Sequence, residues 1–89
     1  MRIDVRVPEL GADQDGLITV CLWHSHVGDE LFQGDRLVEL LVGQIVFDVT
    51  SPSTGHLKGI HAFEDTQVKP DDLLTTIEIT DSAATNVAP

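Results

Sequence analysis

Leu37-Val38-Glu39-Leu40-Leu41-Val42-Gly43-Gln44-Ile45-Val46-Phe47-Asp48-Val49 decides the fold. Two apolar runs, 37–42 and 45–49, face each other across Gly43-Gln44. A two-residue link is the length at which antiparallel strands join as a tight hairpin, and glycine supplies there a backbone angle that other residues resist. The composition of 37–42 would also suit a helix, but Gly34 and Gly43 bound the run too closely for one.

Outward from this hairpin the punctuation stays short and regular. Turn signals stand at Pro8-Glu9-Leu10-Gly11, Asp15-Gly16, Gly28-Asp29, Gly34-Asp35, Ser51-Pro52-Ser53-Thr54-Gly55, Gly59 and Pro70-Asp71-Asp72. The segments between them are short and rich in β-branched residues, which predicts an all-β sandwich or barrel. Ile3, Val5 and Val7 alternate with Asp4 and Arg6 as a half-buried first strand. Leu17–Trp23, Gly55–His61 and Leu73–Ile79 read as further strands.

The second half resembles the first. Asp29-Glu30-Leu31-Phe32-Gln33-Gly34-Asp35-Arg36-Leu37-Val38 aligns with Asp65-Thr66-Gln67-Val68-Lys69-Pro70-Asp71-Asp72-Leu73-Leu74 at an offset of 36 residues. Each half is too small to bury its own apolar face, so the two are expected to intertwine about a pseudo-twofold axis. Residues 80–89 are small and polar without periodicity and read as a flexible tail or the start of a linker, leaving 1–79 as the domain.

The chain has 89 residues and a formal net charge of -10, with 5 Lys+Arg against 15 Asp+Glu. One small domain follows from the length. The charge argues against nucleic acid, whose affinity comes from cations neutralising phosphates, and against an anionic membrane surface. No apolar run approaches the ~18 residues of a membrane span. The single cysteine, Cys21, cannot form an internal disulfide, and the first residues lack the apolar core of a signal peptide, so a cytoplasmic location is expected.

Cys21, between Val20 and Leu22, is expected to be a small buried hydrophobe. Of the four histidines, His24 and His26 share one face if their strand stays regular, the only hint of a metal site. Zinc would need three or four converging ligands. Solvent-facing histidines are the favoured reading, with no metal. The carboxylates at Asp13, Asp15, Asp29, Glu30, Asp35, Glu64, Asp65, Asp71 and Asp72 read as a solvated acidic surface that could steer a basic partner.

Four stretches together resemble the biotinyl/lipoyl-domain family over roughly residues 3–79. They are Val7-Pro8-Glu9-Leu10-Gly11; Trp23 with Val27-Gly28-Asp29-Glu30-Leu31 and Gly34-Asp35-Arg36-Leu37; Val49-Thr50-Ser51-Pro52-Ser53-Thr54-Gly55-His56-Leu57; and Asp71-Asp72-Leu73-Leu74 with Ile77-Glu78-Ile79. The likeness is greatest to lipoyl domains from acyltransferase components of 2-oxo acid dehydrogenase complexes. It implies a flattened barrel-sandwich of two four-stranded antiparallel sheets. It also implies a hairpin-tip lysine that carries lipoate or biotin as a swinging arm.

Counted back from Val49-Thr50-Ser51-Pro52, that lysine position falls on Gln44, flanked by Gly43 and Ile45. An amide cannot be acylated as an amine can, so no cofactor is expected here; lipoate would be expected if residue 44 were lysine. Val42, Gly43, Ile45 and Phe47 also depart from the family's more polar hairpin, which favours natural divergence over a single engineered change. The resemblance implies that partner enzymes read the loop after the first strand and the hairpin tip: Gly11, Ala12, Asp13, Asp15, Gly43, Gln44 and Ile45. The expected function is a non-catalytic, unmodified lipoyl-like domain docking within or to a 2-oxo acid dehydrogenase-type multienzyme system. The alternatives are an assembly or interaction domain unrelated to acyl transfer, and a lipoyl carrier whose lysine was changed to Gln44.

Overall fold

The computed structural model describes residues 1–10 and 17–79. It contains eight strands: β1 (Arg2–Arg6), β2 (Ile18–Trp23), β3 (Glu30–Leu31), β4 (Arg36–Val42), β5 (Ile45–Thr50), β6 (Gly55–Ile60), β7 (Gln67–Val68) and β8 (Leu73–Ile79). They form two four-stranded antiparallel sheets, ordered β1-β8-β6-β3 and β5-β4-β2-β7. This is the expected flattened barrel-sandwich. The expected tail over 80–89 lies outside the described residues.

Alternation along the strands puts one face of each sheet inward. Ile18, Val20, Leu37, Val38, Leu40, Leu57, Leu74 and Ile77 are essentially inaccessible and form the centre of the core. Trp23 is buried with them, its indole Nε1–H donating to the Ala62 carbonyl at 2.8 Å. Gly55 is required by packing: a Cβ there would collide with the carbonyl oxygen of Glu78 on the neighbouring strand β8.

The two sheets are related by a pseudo-twofold axis that exchanges β1 with β5, β8 with β4, β6 with β2 and β3 with β7, which makes the two strand orders identical. Matching β2 to β6, β4 to β8 and β3 to β7 requires an offset of 37 residues, as Ile18 to Gly55, Arg36 to Leu73 and Glu30 to Gln67 show. The offset of 36 read from sequence is therefore corrected by one. Backbone geometry agrees: Gly28 (φ 95) matches Asp65 (φ 70), and Gly34 (φ 96) matches Asp71 (φ 77). An offset of 36 pairs Asp29 with Asp65 by side chain, whereas the fold pairs Gly28 with Asp65 by their shared left-handed turn conformation. Equivalent hydrogen bonds cross the axis in pairs, Gly28 N to Leu57 O with Asp65 N to Val20 O, both 2.8 Å.

Two local features departed from the sequence reading. Cys21 is exposed rather than buried. The β2–β4 register jumps from Val20↔Leu40 to Leu22↔Glu39, so Cys21 is the extra residue of a β-bulge and strand alternation breaks there. The matching bulge in β6 sits at Lys58, between Leu57 and Gly59. The other feature is the pair β3 and β7, two residues each, too short for any alternation to announce them.

Candidate functional site

Strands β4 and β5 end on the pair Val42↔Ile45, leaving Gly43-Gln44 as a two-residue turn. Gly43 has φ 64, and Gln44 does not share the left-handed conformation. A positive φ at only the first central position is the pattern of a type II′ turn, which matches the right-handed twist of the flanking strands and favours glycine there. The tip is exposed, with the Gln44 side chain beyond the last ladder pair.

The row Ile18–Val42–Ile45 runs from the core to this tip across three strands. Exposure rises along it, from 1% at Ile18 to half-buried Val42 and 60% at Ile45. Val46, 51% exposed, follows on the opposite face of β5. An apolar collar thus surrounds a polar, uncharged tip. Of the residues expected to dock a partner, Gly43, Gln44 and Ile45 are together here; Gly11, Ala12, Asp13 and Asp15 lie outside the described residues.

Neither lysine stands near this turn in the fold. Lys58 is the exposed bulge residue of β6, and Lys69 lies in the turn between β7 and β8, its backbone N–H donating to Asp72 at 2.9 Å. Asp72 has equivalents in the other turns. His26 N donates to Asp29 Oδ2 at 2.8 Å and Phe32 N to Asp35 Oδ2 at 2.9 Å. Several carboxylates of the acidic surface therefore close turns by accepting from a backbone N–H three residues earlier.

The histidines separate. Strand β2 ends at Trp23, and the chain then bends so that the N–H groups of His24 and Ser25 both donate to Leu37 O, at 2.8 and 3.3 Å. The regular face on which His24 and His26 were to pair does not exist. His26 is exposed, with Nδ1 3.8 Å from Asp29. His24 Nε2 instead lies 2.7 Å from Glu39 Oε2, both half-buried. Asp48 completes a group whose ligand atoms all lie within 4.8 Å of one another. Sequence reasoning missed Glu39 and Asp48, although counting outward from the turn places them opposite each other in the hairpin.

In the other sheet, on β8, Glu78 accepts from the Met1 amine and from Arg2 Nε, both at 2.9 Å. The hydrogen bond from the amine, then that from Arg2, holds its carboxyl below the usual range. An open groove is lined by Trp23, His26, Ile60, Phe63, Glu64 and Asp65. The 37-residue offset matches Trp23 to Ile60 and His26 to Phe63, so the groove lies along the pseudo-twofold axis. Glu64 there is engaged, accepting from Trp23 N at 3.0 Å.

The Biotin_lipoyl family model, described as "Biotin-requiring enzyme", matches residues 3–77. The chain is also 26% identical over 76 residues to the dihydrolipoyllysine-residue succinyltransferase component of the 2-oxoglutarate dehydrogenase complex from Buchnera aphidicola subsp. Schizaphis graminum (strain Sg). That match covers 85% of this chain and 19% of the relative, so the chain spans about a fifth of the relative's length.

Proposed function

The chain belongs to the biotin/lipoyl domain family, and from that premise we propose that it is an unmodified lipoyl-type domain that works by docking in a 2-oxo acid dehydrogenase-type assembly. The observation that carries this reading is Gln44 at the exposed tip of the β4–β5 hairpin. The resemblance puts the attachment lysine at this position. Acylation by a lipoyl or biotinyl adenylate needs a nucleophilic amine, and the nitrogen of a carboxamide has its lone pair delocalised into the carbonyl. The domain then contributes surface rather than chemistry. A net charge of -10 supports electrostatic steering toward a basic partner surface. The apolar collar of Ile45 and Val46 supplies area to bury on contact.

The test is intact-mass analysis of the chain after co-expression with a lipoate ligase. The expected result is the unmodified mass. A lipoyl adduct on Lys58 or Lys69 overturns the reading.

A further inference from the structure

We propose that His24, Glu39 and Asp48 form a binding site for a divalent transition-metal ion such as Zn²⁺ on the outer face of the β5-β4-β2-β7 sheet. The three residues come from three separate places in the chain: the bend after β2, the middle of β4 and the middle of β5. Their ligand atoms nevertheless lie within 4.8 Å of one another. One imidazole with two carboxylates is a donor set that suits such an ion.

The ladder itself supplies a second, independent argument. Glu39 and Asp48 are direct cross-strand partners. Like charges placed directly opposite each other destabilise a sheet. No Lys or Arg among the described residues lies within salt-bridge distance of either carboxylate. The described residues therefore hold two facing anions with only His24 against them, and a cation converts that repulsion into attraction.

The other half of the molecule shows what the same position looks like without the third ligand. The pseudo-twofold axis matches His24 to His61, Glu39 to Thr76 and Asp48 to Asp4, and Asp4↔Thr76 are again direct partners. His61 Nε2 lies 3.0 Å from the Thr76 hydroxyl. The fold thus accommodates a neutral residue at the position of Glu39, and the facing carboxylates are particular to one half.

Tetrahedral coordination at about 2.0–2.2 Å places ligand atoms roughly 3.3–3.6 Å apart. Exposed Asp48 can swing to reach that spacing, while half-buried His24 and Glu39 are already adjacent. Neutral His24 would bind through Nε2 and carry its proton on Nδ1, with water completing the shell. The ion would tie β4, β5 and the bend after β2 together, a few residues below the hairpin tip.

The experiment is calorimetric titration of Zn²⁺ into the full chain, paired with thermal unfolding. One Zn²⁺ per chain is expected, with a rise in unfolding midpoint on the order of 10 °C at a hundredfold excess over Kd. His24→Gln and Asp48→Asn should each weaken binding by roughly tenfold or more, since even outer-shell partners cost about 10–100-fold. Asp4→Asn, the equivalent change in the other half, should leave affinity unchanged. Asp48 is exposed, so Asp48→Asn is expected to fold even if His24→Gln does not. In the unaltered chain, nuclear magnetic resonance should show the His24 imidazole shifting first. Absence of binding, undiminished binding in Asp48→Asn, or a first shift at His26, His56 or His61 overturns the proposal.

Discussion

Gly34 and Asp71 occupy the same left-handed turn position in the two halves, at φ 96 and 77, yet one is glycine and the other is not. Gly34 N donates to Ser51 O and Asp71 N donates to Val7 O, both at 2.8 Å, so the turns also make equivalent tertiary bonds. Aspartate tolerates this conformation better than most residues, whereas a β-branched side chain is strained in it.

Gly34→Asp is therefore expected to cost no more than about 1 kcal/mol, and Gly34→Val roughly 2 kcal/mol or more. Nothing lies within 4 Å of an added Cβ at Gly34, so any cost is conformational. Gly55→Ala should exceed both, at roughly 3 kcal/mol, because its Cβ meets the β8 backbone. Urea unfolding of the three variants checks the order.

Trp23→Phe removes the donor to the Ala62 carbonyl and leaves that buried acceptor unpaired. The expected loss is about 1–3 kcal/mol. Because the phenyl ring keeps most of the apolar area, Trp23→Ala should cost distinctly more, about 3–5 kcal/mol. Comparison of urea midpoints, followed by far-ultraviolet circular dichroism, separates the hydrogen bond from the packing.

Cys21, on its bulge, is open to solvent. A thiol reagent such as Ellman's should titrate one thiol per chain without denaturant. Cys21→Ser should change stability by about 0.5 kcal/mol or less, as is usual for surface positions. Protection of the thiol until the protein is unfolded would contradict the exposed position.

Glu78 is held below the usual carboxylate range by the Met1 amine and then by Arg2. A group whose value is lowered on folding adds stability above its unfolded value, and that stability is lost as pH falls through the folded value. Glu78→Gln should be less stable than the parent at neutral pH. The gap should close as pH drops well below the ordinary glutamate value of about 4.3. Unfolding midpoints across that range check the sign; a gap that widens toward acid would contradict it.

Gln44→Lys should make the domain at least partly modifiable by a lipoate ligase, because the type II′ turn presents residue 44 beyond the last strand pair. Intact mass is the readout. Continued inertness of this variant would mean that Gly43 and Ile45 are themselves incompatible with the modifying enzyme.

What the amino-acid sequence determined by itself is what depends on neighbours in the chain. The β4–β5 hairpin, its Gly43-Gln44 turn and the six longer strands follow from alternation and turn chemistry within a few residues. The presence of two similar halves was legible for the same reason. Tertiary structure decided whatever depends on register between distant segments. It inserted Cys21 as a bulge, turning a residue expected in the core to solvent. It created β3 and β7, which exist only because β6 and β2 offer them edges to pair with. It moved the repeat from 36 to 37 residues through backbone angles that side-chain identity does not reveal. It also separated His24 from His26 and brought His24 to Glu39 and Asp48. Bonding between strands fixes such neighbours, and a shift of one residue would have turned each of these side chains to the opposite face of the sheet.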